Sequence, residues 1–135
     1  MEYAFTAYGH PNILATHKTT LEITKDSELT KRGNCIIAVA ADFSLQKIKE
    51  LVRSCGSNDK IRLTIAVAEI KEEIIAVANR EFGSEHEIVL RKGNFVSERT
   101  LGIKADEAAS DLGKELVDRR LKSGKTAVSI RLETL

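Results

Sequence analysis

Tryptophan is absent from this 135-residue chain, and proline, methionine and glutamine occur once each, as Pro11, Met1 and Gln46. Aromatic residues are only 4% of the whole. They are not interleaved with basic residues, which argues against a stacking platform for single-stranded nucleic acid. A charge excess is missing too: 21 basic and 20 acidic residues leave a formal net charge of +1. Bulk coating of nucleic acid or of an anionic membrane needs a strong basic surplus, so neither is expected. The only cysteines, Cys35 and Cys55, form no CxxC pair and no disulfide framework. They read as small apolar residues. No apolar run approaches the ~20 residues that span a bilayer. Met1-Glu2-Tyr3 has neither the basic start nor the apolar stretch of a signal peptide. A soluble cytoplasmic protein is expected.

What is present is charge, at 30% of residues, and pattern. Residues 17–42 and 84–106 follow one scheme: a strand, a polar turn, a second strand, then Ala-Asp ahead of a helix. Each helix leads through a glycine into another strand, KIRLTIAV from Lys60 and KTAVSIRL from Lys125. The scheme predicts two strand-strand-strand-helix-strand repeats, at about 2–68 and 71–133, within a single domain 1–135.

Alternation places a first strand at about 2–8, ended by the turn Gly9-His10-Pro11-Asn12. Thr16 to Lys25 reads as a strand with His17, Thr19, Leu21 and Ile23 on one face and Lys18, Thr20, Glu22 and Thr24 on the other. Cys35 to Ala41 is a short buried strand. Ser44 or Asp42 caps a helix through Leu45, Ile48, Leu51, Val52 and Cys55. Glu72 to Arg80 has helical propensity, but the repeat makes it a strand. Asp106 is expected to cap a second helix, which Gly113 breaks and Gly124 ends. Eight strands with two helices leave few parallel crossovers. The fold class is α+β: a mostly antiparallel, barrel-like, pseudo-symmetric domain. Two helices cover only part of such a sheet, and a homodimer is expected.

The candidate site lies in the first half. His10 and His17 are separated by a turn, and histidine suits proton transfer or ligand binding near neutral pH. Asn12, Lys18 and Thr19 add donors for an anion. His10, Asn12, His17, Lys18 and Thr19 therefore form the expected pocket for a small, phosphate-containing ligand. A hydrolase or lyase using His10 or His17 as general base is the alternative. An RNA-associated module using Lys31, Arg32, Arg91, Lys92 and Arg99 is a third. Zinc needs three or four converging ligands, and no such set is legible, so no metal is assigned. No Walker loop, GxGxxG or GxSxG occurs.

Several stretches together carry a resemblance: Gly9-His10-Pro11-Asn12-Ile13, Thr16-His17-Lys18-Thr19-Thr20-Leu21-Glu22, Gly33-Asn34-Cys35-Ile36, and Arg99-Thr100-Leu101 through Ala105-Asp106 with Ala108-Ala109. The chain resembles an archaeal family classed as a domain of unknown function. The resemblance implies an archaeal cytoplasmic protein and no particular reaction. Where that family enters the second-half strand through His-Pro-Thr-Asp, this chain has Ser84-Glu85-His86-Glu87. A second histidine pocket is not implied.

Overall fold

A computed structural model describes residues 1–135. Its strands are β1 (Glu2–Tyr8), β2 (Thr20–Thr24), β3 (Ile36–Ala38), β4 (Lys60–Val67), β5 (Ile70–Ala78), β6 (Glu87–Arg91), β7 (Thr100–Ile103) and β8 (Ala127–Thr134). They form one sheet in the order β1-β8-β4-β5-β7-β6-β2-β3. All pairings are antiparallel except β2–β3 and β6–β7. Both parallel pairs shift register once. The α+β class and the antiparallel bias are as expected.

The barrel-like expectation is corrected. The two edges of the sheet touch through one residue pair, Tyr8 of β1 and Val39 just beyond β3, whose N–H and C=O groups exchange two bonds of 2.8 Å. With only three residues, β3 is too short to ladder along β1, and the sheet stays open. The expected strand from Cys35 to Ala41 shrinks accordingly. Ala40, at φ 52°, leaves the extended region and ends it.

One helix, α1 (Leu45–Arg53), turns Ile48, Leu51 and Val52 into the core. Ser44 caps it, its Oγ accepting the Lys47 N–H at 3.3 Å. Asp42 is not the cap. Its carboxylate accepts the N–H of Thr6 in β1 at 2.8 Å, while its own N–H donates to the Thr6 carbonyl. Asp106 does the same to Ile75 in β5, at 2.9 Å and 3.0 Å. Each aspartate thus fastens a chain segment to a strand. The expected helix beyond Asp106 is a 3-10 turn (Ala109–Asp111), a π-helical turn (Glu115–Arg120) and a second 3-10 turn (Leu121–Ser123). Gly113 falls between the first two. Its N–H donates to the Glu72 carboxylate of β5, at 2.9 Å and 3.1 Å to the two oxygens, instead of continuing a helix.

Residues 72–80 are extended, in β5, against their helical propensity. Side chains Ile74, Ala76 and Ala78 point into the core, so packing overrides a weak intrinsic preference. Buried side chains from every strand and α1 make one continuous apolar cluster. Within it Gly102 of β7 is required by space: a Cβ there would lie 2.8 Å from that of Ala76. No helix is long and apolar enough to cross a membrane.

Candidate functional site

The largest cleft, of about 730 Å³, opens where β1 ends. Gly9 allows the chain to turn tightly there. A Cβ on it would collide with the Leu121 carbonyl. The Gly9 N–H donates to the Thr126 carbonyl at 3.0 Å, and the His10 N–H to the Leu121 carbonyl at 2.8 Å. These bonds hold the His10-Pro11 turn against the segment 121–126, which brings Ser123, Gly124 and Lys125 to the same opening. Ser27, Val39 and Ala40 close the other side. Ala40 and Lys125 have φ of 52° and 49°, and Gly124 has 56°. Left-handed backbone at non-glycine residues costs of order 1 kcal/mol or more and gathers at functional sites.

Lys125 and His10 line this cleft with Ser27, Ser123 and Tyr8, and no aspartate or glutamate lines it. The His10 Nδ1 accepts the Asn12 N–H at 3.0 Å. An accepting Nδ1 means that the neutral ring carries its proton on Nε2, which is then a donor. The Asn12 side chain is committed elsewhere, donating to the Leu29 carbonyl at 2.8 Å. Asn12 therefore orients His10 through its backbone.

His17, Lys18 and Thr19 do not line the cleft. They precede β2, which begins at Thr20. His17 Nδ1 accepts the N–H groups of Thr19 and Thr20, at 3.2 Å and 3.1 Å. Its ring closes the turn. Ser84 occupies the same place before β6, its Oγ accepting from His86 and Glu87 at 3.2 Å and 3.1 Å. Lys18 and Thr19 are exposed on that turn. Of the five basic residues considered for RNA, Lys92 pairs with Asp111 at 2.8 Å, and Arg99 pairs with Glu87 at 2.9 Å and Glu22 at 3.5 Å. That carboxylate contact pulls Asp111 below the usual range, mainly through Lys92 and then through the Ala108 N–H.

A second polar group lies outside the cleft. Glu22 of β2 is only 6% exposed. Burial, then the neighbouring Glu87 carboxylate, pushes it up to about 7, with Arg99 opposing. The Cys35 Sγ lies 3.8 Å from Glu22 Oε1. Burial, then the Glu22 charge, pushes that thiol up to about 11, so it is a poor nucleophile. Alternation puts Glu22 and Thr24 on the face opposite Leu21 and Ile23, and Thr24 too is buried, at 2% exposed. Both faces of β2 are covered, and the partners arrive from β6 and the start of β7.

The class of protein is thus an open, mostly antiparallel α+β sheet with a cation-bearing cleft at one strand exit. Its sequence matches, over residues 5–134, the family described as a domain of unknown function, DUF371, and the chain belongs to that family. It is also 41% identical over 134 residues to an uncharacterized protein of Methanocaldococcus jannaschii, covering 95% of this chain and 96% of that one. The archaeal relative is in line with the expected archaeal family.

Proposed function

We propose that the chain binds a small, phosphate-containing anion in the cleft shared by His10 and Lys125. The hydrogen bond from the Asn12 N–H to His10 Nδ1, 3.0 Å long, carries this reading. It makes Nε2–H a donor, which suits an anion. A general base acting through Nε2 needs the opposite tautomer, with Nδ1–H held by an acceptor such as a carboxylate or a carbonyl, and here Nδ1 faces a donor instead. No carboxylate lines the cleft. Binding is therefore preferred to hydrolase or lyase chemistry. Lys125 supplies the charge, and the Ser27 hydroxyl and the Gly124 backbone add polar contacts, whereas the Ser123 hydroxyl is committed, donating to the Arg120 carbonyl at 2.6 Å. His10 and Asn12 remain in the proposed site, and Lys125, Ser27 and Gly124 take the places first given to His17, Lys18 and Thr19.

The matched roles of Asp42 and Asp106, and of His17 and Ser84, support reading residues 2–68 and 71–133 as two versions of one unit. In that reading only the first version keeps the anion cleft.

Titration calorimetry with inorganic phosphate and simple phosphate monoesters tests the proposal. Binding is expected in the wild type, weakened roughly tenfold or more in Lys125→Ala and unchanged in Lys18→Ala. Equal binding by Lys125→Ala and wild type refutes it.

A further inference from the structure

The loop between β6 and β7 departs from the rest of the surface. Phe95 is 66% exposed and Val96 48%. In the corresponding loop between β2 and β3, Leu29 is folded into the core at 6% exposure. The Arg91 guanidinium lies 5.0 Å from the Phe95 ring centroid, on one face of the ring. Lys104 sits at the base of the loop, its N–H donating to the Gly93 carbonyl at 3.1 Å. Val96 also lines a cleft of about 280 Å³ with Ser57, Asn58, Arg80 and Glu81. Arg80, Arg91 and Lys104 take part in none of the ion pairs of the chain.

We infer that this loop and cleft bind a short segment of single-stranded nucleic acid. One base stacks on Phe95, and the phosphates meet Arg91 and Lys104. Three observations carry it. An exposed ring with a cation on it is the minimal stacking platform, and base stacking tolerates any sequence. Arg91, whose Nε donates to the Thr100 hydroxyl at 3.2 Å, and Lys104 have no carboxylate partner and complement a phosphate backbone. The apolar tip is two residues wide, far below the 20–30 residues per side of an ordinary protein interface. A duplex keeps its bases stacked on one another and offers no free face to Phe95. Glu81 lines the small cleft, so the phosphates run along the rim with Arg91 and Lys104, while Ser57 and Asn58 face base edges. Arg91 and Phe95 lie only four residues apart in the sequence, but the stacking of one on the other, and the approach of Lys104 to the loop, are set by the fold.

Fluorescence anisotropy of the full chain with a labelled single-stranded oligouridylate, at low salt, is the test. Micromolar binding is expected, with Phe95→Ala weaker by roughly five- to hundredfold and Phe95→Trp close to wild type. Arg91→Gln and Lys104→Gln are expected to weaken binding and flatten its salt dependence. Lys125→Ala should bind the oligonucleotide unchanged, which separates this site from the phosphate cleft. No binding at about 100 µM, Phe95→Ala equal to wild type, a duplex bound as tightly as the single strand, or an acidic polypeptide bound as tightly as the oligonucleotide would each overturn the inference.

Discussion

At the end of β1 the backbone turns through Gly9, His10 and Pro11; at the end of β5 it turns through Ala78, Asn79 and Arg80. The bonding is closely matched. His10 Nδ1 accepts the Asn12 N–H at 3.0 Å, and Asn79 Oδ1 accepts the Glu81 N–H at 3.1 Å. The Ile13 N–H returns to the His10 carbonyl, and that of Phe82 to the Asn79 carbonyl. Beside each turn lies a left-handed residue, Lys125 at φ 49° and Asn58 at φ 66°. The surroundings differ. The first cleft is about 730 Å³ and lacks acids, whereas the second is about 280 Å³ and holds Arg80 with Glu81. Asn79 is also fully engaged, its Nδ2 donating to the Thr100 carbonyl at 2.7 Å. One turn geometry thus serves two surfaces, and the side chains around it decide whether an anion is welcome.

The largest way to break the comparison is at Gly9. Ala78 tolerates its Cβ at the matching turn, but Gly9 packs against the Leu121 carbonyl. Gly9→Ala is expected to lose about 1–3 kcal/mol of stability in urea unfolding, and phosphate binding with it. A loss below about 0.5 kcal/mol would mean that the segment 121–126 moves aside at little cost.

The second contrast is Glu22 against Val89, which face one another across β2 and β6. Raised to about 7 in the fold, Glu22 binds its proton more tightly folded than unfolded. The stability this confers is fully present below the ordinary carboxylate pKa. It is lost as pH rises through about 7. Stability should fall by about 1–3 kcal/mol between acid and mildly alkaline pH, and Glu22→Gln should flatten the profile. An identical pH profile for wild type and Glu22→Gln would remove Glu22 as its source.

A smaller effect separates His17 from Ser84. If both are turn closers, His17→Ala should cost about 1 kcal/mol, and His17→Ser should recover part of it. Phosphate affinity should not change in either. A tenfold loss of affinity in both, at equal stability, would return His17 to the site.

Much of this was legible and some was not. The strand at β5 is legible through the comparison with the first half, which makes 72–80 a strand although Glu72 and Glu73 favour a helix in isolation. The Gly-His-Pro turn is legible in the sequence because it fixes the His10 ring by backbone, and His10 does line the cleft. Asp42 and Asp106 were misassigned because an aspartate before a helix and an aspartate beside a strand look alike along the chain. Only tertiary contact with Thr6 and Ile75 distinguishes them. Lys125 was read as the start of the last strand, and nothing local to it signals that a loop closes over the first turn.

The central claim is that the anion site belongs to the first turn and not to the second. Amide chemical shifts of the full chain, followed as inorganic phosphate is added, test it most directly. Saturable shifts are predicted at Gly9, His10, Ser123, Gly124 and Lys125, with Ser57, Asn58, Asn79 and Arg80 still. Shifts of equal size and midpoint in both groups, or none at the first, would contradict it.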